Sequence, residues 1–78
     1  METTNHISLD KAPLNACCII CETNDINRRF QDIGITKGVQ ITPVFESMFS
    51  KARAYLVKGS LFSIRKNIAK EIIVKQDL

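Results

Sequence analysis

Apolar residues recur along this chain with two different periods. Ile26, Phe30 and Ile33 fall at i, i+4 and i+7, one stripe of an amphipathic helix. From Val39 the period becomes two: Val39, Ile41 and Pro43 alternate with Gln40, Thr42 and Val44, as a strand requires. Gly34 follows the last apolar residue of the helical stripe, where a left-handed residue commonly ends a helix. Lys37-Gly38 marks a turn before the strand. Residues 27–44 therefore read as a helix end, a stop, a turn and a strand start.

The same pattern extends to both sides. Residues 1–7 are polar and are expected to form a tail. Ser8 is placed to cap a short turn through Leu9 to Ala12, ended by Pro13, and Leu14 is expected to fold back onto the core. Residues 16–22, Ala-Cys-Cys-Ile-Ile-Cys-Glu, form a short run with apolar residues at both parities. Such a run suits a covered, central strand, and periodicity alone does not fix which parity points inward. Thr23 or Asn24 suits the N-cap of the helix that runs to Ile33. The next strand spans residues 39–47, and Pro43, which lacks an N–H, makes it an edge or bends it.

Met48 to Lys51 reads as a connection. Residues 52–57 and 60–65 form a hairpin around Lys58-Gly59, pairing Val57 with Ser60, Leu56 with Leu61 and Tyr55 with Phe62. Tyr55, Val57, Phe62 and Ile64 then share the core face. Ala54, Leu56, Leu61 and Ser63 share the outer one. Residues 67–70 allow one helical turn, with Asn67 as its cap, and residues 71–75 a closing strand with Ile72 and Val74 on one face. Five short strands and one inserted helix fit a small, strongly bent β-barrel, whose closure removes exposed edges.

Composition narrows the functional classes. With 78 residues the chain is one domain, 45% hydrophobic. No apolar run approaches the roughly 18 residues of a membrane span, and the N-terminus lacks a signal-peptide pattern, so a cytoplasmic location is expected. The net charge of +3 is uneven. Residues 1–50 carry four Lys/Arg against six Asp/Glu, and residues 51–78 carry seven against two. That basic half suits an acidic partner or a solvated surface. Its lysines are spread singly, without the interleaved aromatics of a single-strand binder.

Cys17, Cys18 and Cys21 include a Cys-x-x-Cys. A structural zinc site needs four ligands, and His6 is the one other soft candidate. On a strand, Cys17 and Cys21 share a face that Cys18 does not, so the thiols read as core and no metal is assigned. The sole histidine lies in the tail, no triad or paired carboxylates stand out, and no catalytic residue or cofactor is assigned. Arg28 and Arg29 read as helix-surface ion-pair partners of the neighbouring acids. Met48, Phe49, Leu56 and Leu61 are large apolar residues at positions expected to be exposed, an apolar contact surface. Arg53, Lys58 and Lys66 are expected to form its polar rim. The alternative is that the N-terminal segment, Leu9 or Leu14 covers these four residues.

The run Arg28-Arg29-Phe30-Gln31-Asp32-Ile33-Gly34-Ile35-Thr36-Lys37-Gly38 resembles the signature of the FeoA family, an Arg-rich helix ending in Leu-Asp-Leu-Gly-Leu before a short turn. Val57-Lys58-Gly59, Phe62-Ser63-Ile64-Arg65-Lys66, Ala69 and Ile72 to Val74 resemble that family's second half. The resemblance spans residues 8–76 and implies an SH3-like β-barrel over residues 8–78. Ile26, Phe30, Ile33, Gly34, Gly38 and Gly59 are its structural signature. It further implies a non-catalytic cytoplasmic accessory of bacterial ferrous iron uptake. The implied partner is the cytosolic GTP-binding part of a FeoB-type transporter, with the membrane reached only through it and homo-oligomers as a further expectation. Residues 47–51, Ser-Met-Phe-Ser-Lys, depart from the Pro- and Gly-containing turn usual in the family at that connection. A small basic nucleic-acid-binding barrel is the alternative from another class.

Overall fold

In the computed structural model, which describes residues 6–23, 32, 34–49 and 51–76, the chain is mostly β. Six strands appear: β1 (His6–Ser8), β2 (Cys18–Glu22), β3 (Gln40–Ser47), β4 (Ala52–Val57), β5 (Ser60–Arg65) and β6 (Ile73–Gln76). A 3₁₀ turn, Leu9–Lys11, follows β1, and one helical turn, α1 (Lys66–Ala69), precedes β6. All neighbouring strands are antiparallel, in the order β1-β6-β2-β3-β4-β5. This is an SH3-like sheet of six strands rather than the five expected, and it is bent without closing into a barrel.

The extra strand comes from the segment read as a tail. His6, Ile7 and Ser8 pair with Lys75, Val74 and Ile73. The ordered fold thus begins before residue 8, because β6 offers an edge that three residues of main chain can satisfy. Ser8 occupies the cap position of the 3₁₀ turn without a side-chain capping bond. The Leu9 amide donates to the Ile72 carbonyl at 2.8 Å. Leu9 is fully buried, whereas Leu14 is 44% exposed. Leu14 sits on the outside of a reversal: the Ala16 amide donates to the Pro13 carbonyl, and Asn15, at φ 67°, donates to the Pro43 carbonyl. The tight turn leaves Leu14 no path back to the core.

The inward parity of β2 is Cys18 and Ile20, both buried. Between β6 and β3 it is a central strand. Pro43 bends β3 rather than placing it at an edge: β3 lies between β2 and β4, with a bulge between Pro43 and Phe45. The missing proline N–H is accommodated by that break in the ladder. The β4–β5 hairpin has the expected register, Tyr55 with Phe62, Leu56 with Leu61 and Val57 with Ser60. Tyr55, Val57 and Ile64 are buried and Phe62 packs against the core. The helical turn starts one residue earlier than expected. Arg65 holds the N-cap position, Asn67 lies within the turn, and the Lys66 amide donates to the Lys51 carbonyl. Ile72 and Val74 are buried as expected, although β6 itself starts at Ile73.

The core joins Leu9, Ile20, Ile35, Ile41, Tyr55, Ile64, Ile72 and Val74. Of the expected helix over residues 24–33 only Asp32 is described, and it is helical; Ile26, Phe30 and Ile33 lie outside the described residues. Gly34, Gly38 and Gly59 all have positive φ, at 94°, 90° and 83°. At the hairpin tip Lys58, at φ 52°, shares the left-handed region with Gly59. A turn of this hand favours Asn at the position Lys58 occupies. Lys58→Asn is therefore expected to raise stability by about 0.5–1 kcal/mol. Gly59→Ala, forced to the same hand without glycine's freedom, is expected to lower it by about 1 kcal/mol. Urea unfolding of both variants measures the two signs.

Candidate functional site

The functional candidates fall on opposite sides of the sheet, and strand parity sorts them. On β4, Arg53, Tyr55 and Val57 face inward; Ala54 and Leu56 face outward. Arg53, expected as a rim residue, is instead 4% exposed. Its Nη1 donates to the carbonyls of Leu9 (3.1 Å) and Asp10 (2.8 Å), and its Nη2 to that of Ala12 (2.7 Å). The Leu9 carbonyl also accepts from the Ala12 amide, whereas those of Asp10 and Ala12 lie at the end of the 3₁₀ turn without a continuing helix to satisfy them. The Nε lies 3.2 Å from Glu46 Oε1, an ion pair without hydrogen-bond alignment. A guanidinium forks across several acceptors in one plane, and an ammonium does not.

Glu46 opposes Arg53 across the ladder, and its other oxygen accepts a 2.6 Å bond from Lys66 Nζ. That hydrogen bond, aided by the Lys66 and Arg53 charges, holds the Glu46 carboxyl below its ordinary value. Lys66 is thus tied to Glu46, and not free at a rim. Tyr55 is fully buried, with the Arg53 guanidinium 5.9 Å from its ring centroid. Burial pushes its phenol up to about 12.

The outer face of β3, β4 and β5 is apolar and open. Leu56 is 41% and Leu61 64% exposed, and the two are cross-strand neighbours. Phe45, which sequence reasoning missed, is 62% exposed beside them, opposite Ala54. The bulge after Pro43 shifts the parity of β3 and turns Phe45 outward; the alternation read from Val39 onward carried no sign of it. Leu9 lies in the core and does not cover this face. Met48 and Phe49 are 88% and 97% exposed in the β3–β4 connection. They sit apart from the leucines, beyond the Ser47–Ala52 pair at the far end of the hairpin. Four residues of strand, about 13 Å, separate Leu56 from Ala52. Lys58 is exposed at the opposite end of β4, and its ammonium approaches Gly34.

The thiols do not converge. Cys18 is buried and Cys21 half-buried on the other parity of β2, while Cys17 precedes the strand. Burial pushes the Cys18 thiol up, and the Cys17 side chain adds to the rise. Among the described residues, no three His, Cys, Asp or Glu side chains gather at metal-binding spacing. Among those residues, also, no helix is long and apolar enough to cross a membrane.

A bent, open SH3-like sheet defines a class of small β domains, and solved structures share that fold. A crystal structure of an iron uptake regulatory protein (FeoA) is 20% identical, with a TM-score of 0.81 over 94% of this chain and 99% of that one. A FeoA-like protein from Clostridium acetobutylicum is 24% identical, with a TM-score of 0.83 over 97% and 92%. A manganese-dependent transcriptional repressor contains the same fold at 15% identity and a TM-score of 0.83, this chain covering 44% of it. No curated protein matches the sequence. The FeoA domain model matches residues 7–76, and the chain belongs to the FeoA family, which is associated with ferrous iron transport.

Removing the clamp is expected to be costly. Arg53→Ala removes the side-chain donor from three carbonyls, leaving those of Asp10 and Ala12 unpaired, and leaves Glu46 with Lys66 alone, at about 3–5 kcal/mol. That is a large share of the roughly 4–12 kcal/mol a domain of this size holds. Arg53→Lys is expected to recover less than half of the loss, as chemical denaturation will show. The titrations have opposite signs. Glu46, depressed in the fold, contributes stability above its ordinary 4.5 that is lost as pH falls through its lower folded value. Glu46→Gln flattens that acid limb. Tyr55, raised in the fold, contributes stability present below 10 and lost as pH rises through about 12. It is the one tyrosine in a chain without tryptophan, so tyrosinate absorbance reads it directly.

Proposed function

We propose that this chain is a non-catalytic accessory of ferrous iron uptake. It works in the cytoplasm by protein contact with the cytosolic GTP-binding domain of a FeoB-type transporter. Membership of the FeoA family supplies the physiological setting. The observation that carries the contact is the outer face of β3, β4 and β5, where Phe45, Leu56 and Leu61 are exposed side by side. A small domain gains nothing in its own stability from leaving three large apolar side chains in water. Clustered aromatic and aliphatic side chains are what interface anchors use. Strand β5 is also a sheet edge, its outer main-chain groups available to a partner strand.

The basic half of the chain gives the nucleic-acid reading less support than its charge count suggested. Of seven Lys and Arg in residues 51–78, Arg53 is buried and Lys66 is paired with Glu46.

Calorimetric titration against the isolated transporter domain, with and without guanine nucleotide and ferrous iron, tests the reading. Leu61→Asp is expected to weaken binding at least about tenfold while unfolding as the parent does, because residue 61 touches solvent and not the core. Absence of binding in every condition, or an unaffected Leu61→Asp variant, would sink the proposal.

A further inference from the structure

One end of the sheet carries two features that the protein-contact face does not explain. The β3–β4 connection projects Met48 and Phe49, at 88% and 97% exposure, the two most exposed large apolar side chains described. Directly beside it, a groove of about 570 Å³ is lined by Lys51, Arg65, Lys66 and Asn67. The register brings these together: Lys51 ends the connection, and Ala52 pairs with Arg65, the last residue of β5. The Lys66 amide donates to the Lys51 carbonyl and closes the arrangement. Glu46 is the one carboxylate described as ion-paired here, and it engages Lys66. Among the described residues, Lys51 and Arg65 form no ion pair.

From this geometry we infer that the β3–β4 end of the protein docks directly on an anionic phospholipid surface. Such docking needs no transporter. A convex tip bearing two adjacent large apolar side chains suits the headgroup–acyl boundary, where Met48 and Phe49 leave water without needing a preformed pocket. The cations of the groove lie at the base of the tip, at the level of lipid phosphates. Lys51 and Arg65 supply uncompensated charge, and Arg65 forks onto phosphate oxygens. An acidic peptide would satisfy the cations and leave the protruding Phe49 needing a separate hollow in its partner. A lipid surface satisfies both features at once.

Cosedimentation of the full chain with vesicles tests the inference. Vesicles of phosphatidylglycerol and phosphatidylcholine in equal parts are compared with phosphatidylcholine alone. Binding is expected to the anionic vesicles and to fall steeply with salt. Phe49→Ser is expected to weaken it at least about tenfold. Lys51→Gln and Arg65→Gln are expected to weaken it about fivefold each. Lys75→Gln, on β6 and away from the groove, removes the same charge and is expected to change binding less than twofold. All four positions are exposed or half-buried, and chemical denaturation confirms that each variant stays folded. Three results would overturn the inference: no anionic preference, Phe49→Ser binding as the parent does, or Lys75→Gln weakening binding as much as Lys51→Gln. So would binding to a phenylalanine-containing polyglutamate peptide, or to glycerol phosphate alone, without vesicle binding.

Discussion

A single guanidinium ties the N-terminal turn to the central hairpin. Arg53 projects inward from β4 and bonds three consecutive-turn carbonyls, those of Leu9, Asp10 and Ala12. A short 3₁₀ turn has no helical continuation to satisfy the carbonyls of Asp10 and Ala12. Arg53 thereby fixes the N-terminal segment. Leu9 can then fill the core, and β1 can pair with β6. Glu46 balances the charge from the neighbouring strand, and Lys66 ties Glu46 to the helical turn. Three parts of the fold distant in sequence converge on one ionic network at the rim of the core. Its cost in desolvation is offset by the three carbonyl bonds of Nη1 and Nη2 and by the Glu46 charge, although Nε itself makes no hydrogen bond.

The inward face is committed to this network and to packing, and the outward face carries the exposed apolar side chains. Along β4 and β5 the division is clean: Tyr55, Val57 and Ile64 inside, Leu56 and Leu61 outside. The bulge in β3 adds Phe45 to the outer set. The apolar surface is then split into a flat patch on the sheet and a projecting tip at its end. Flat apolar patches match protein faces. An apolar tip beside a cationic groove matches a charged interface between water and hydrocarbon.

Much of this was legible in the residues. The Lys58-Gly59 turn fixed the hairpin register, and a two-residue turn leaves no freedom to slip. The exposure of Met48, Phe49, Leu56 and Leu61 followed from parity and from their place at a connection. Arg53 was misplaced although the same parity put it inside with Tyr55 and Val57. Its charge suggested the surface, and the carbonyls that make burial tolerable lie more than forty residues away. Strand β1 escaped notice because three polar-flanked residues carry no periodicity; pairing with β6 alone makes them a strand. Leu14 and Asn67 were read from residue type, and long-range backbone bonds decided both positions. The cysteines read as core, and one of them, Cys18, is fully buried.

Amide hydrogen exchange of the full chain, alone and with the isolated cytosolic domain of the transporter, tests the account most directly. Bound partner is expected to slow exchange along β5 and around Phe45 and Leu56, while the β1–β6 pair and the 3₁₀ turn held by Arg53 keep their free-state rates. Protection centred on His6 to Ala12, with β5 unchanged, would contradict the account, because the segment assigned to holding the fold together would then be the contact itself.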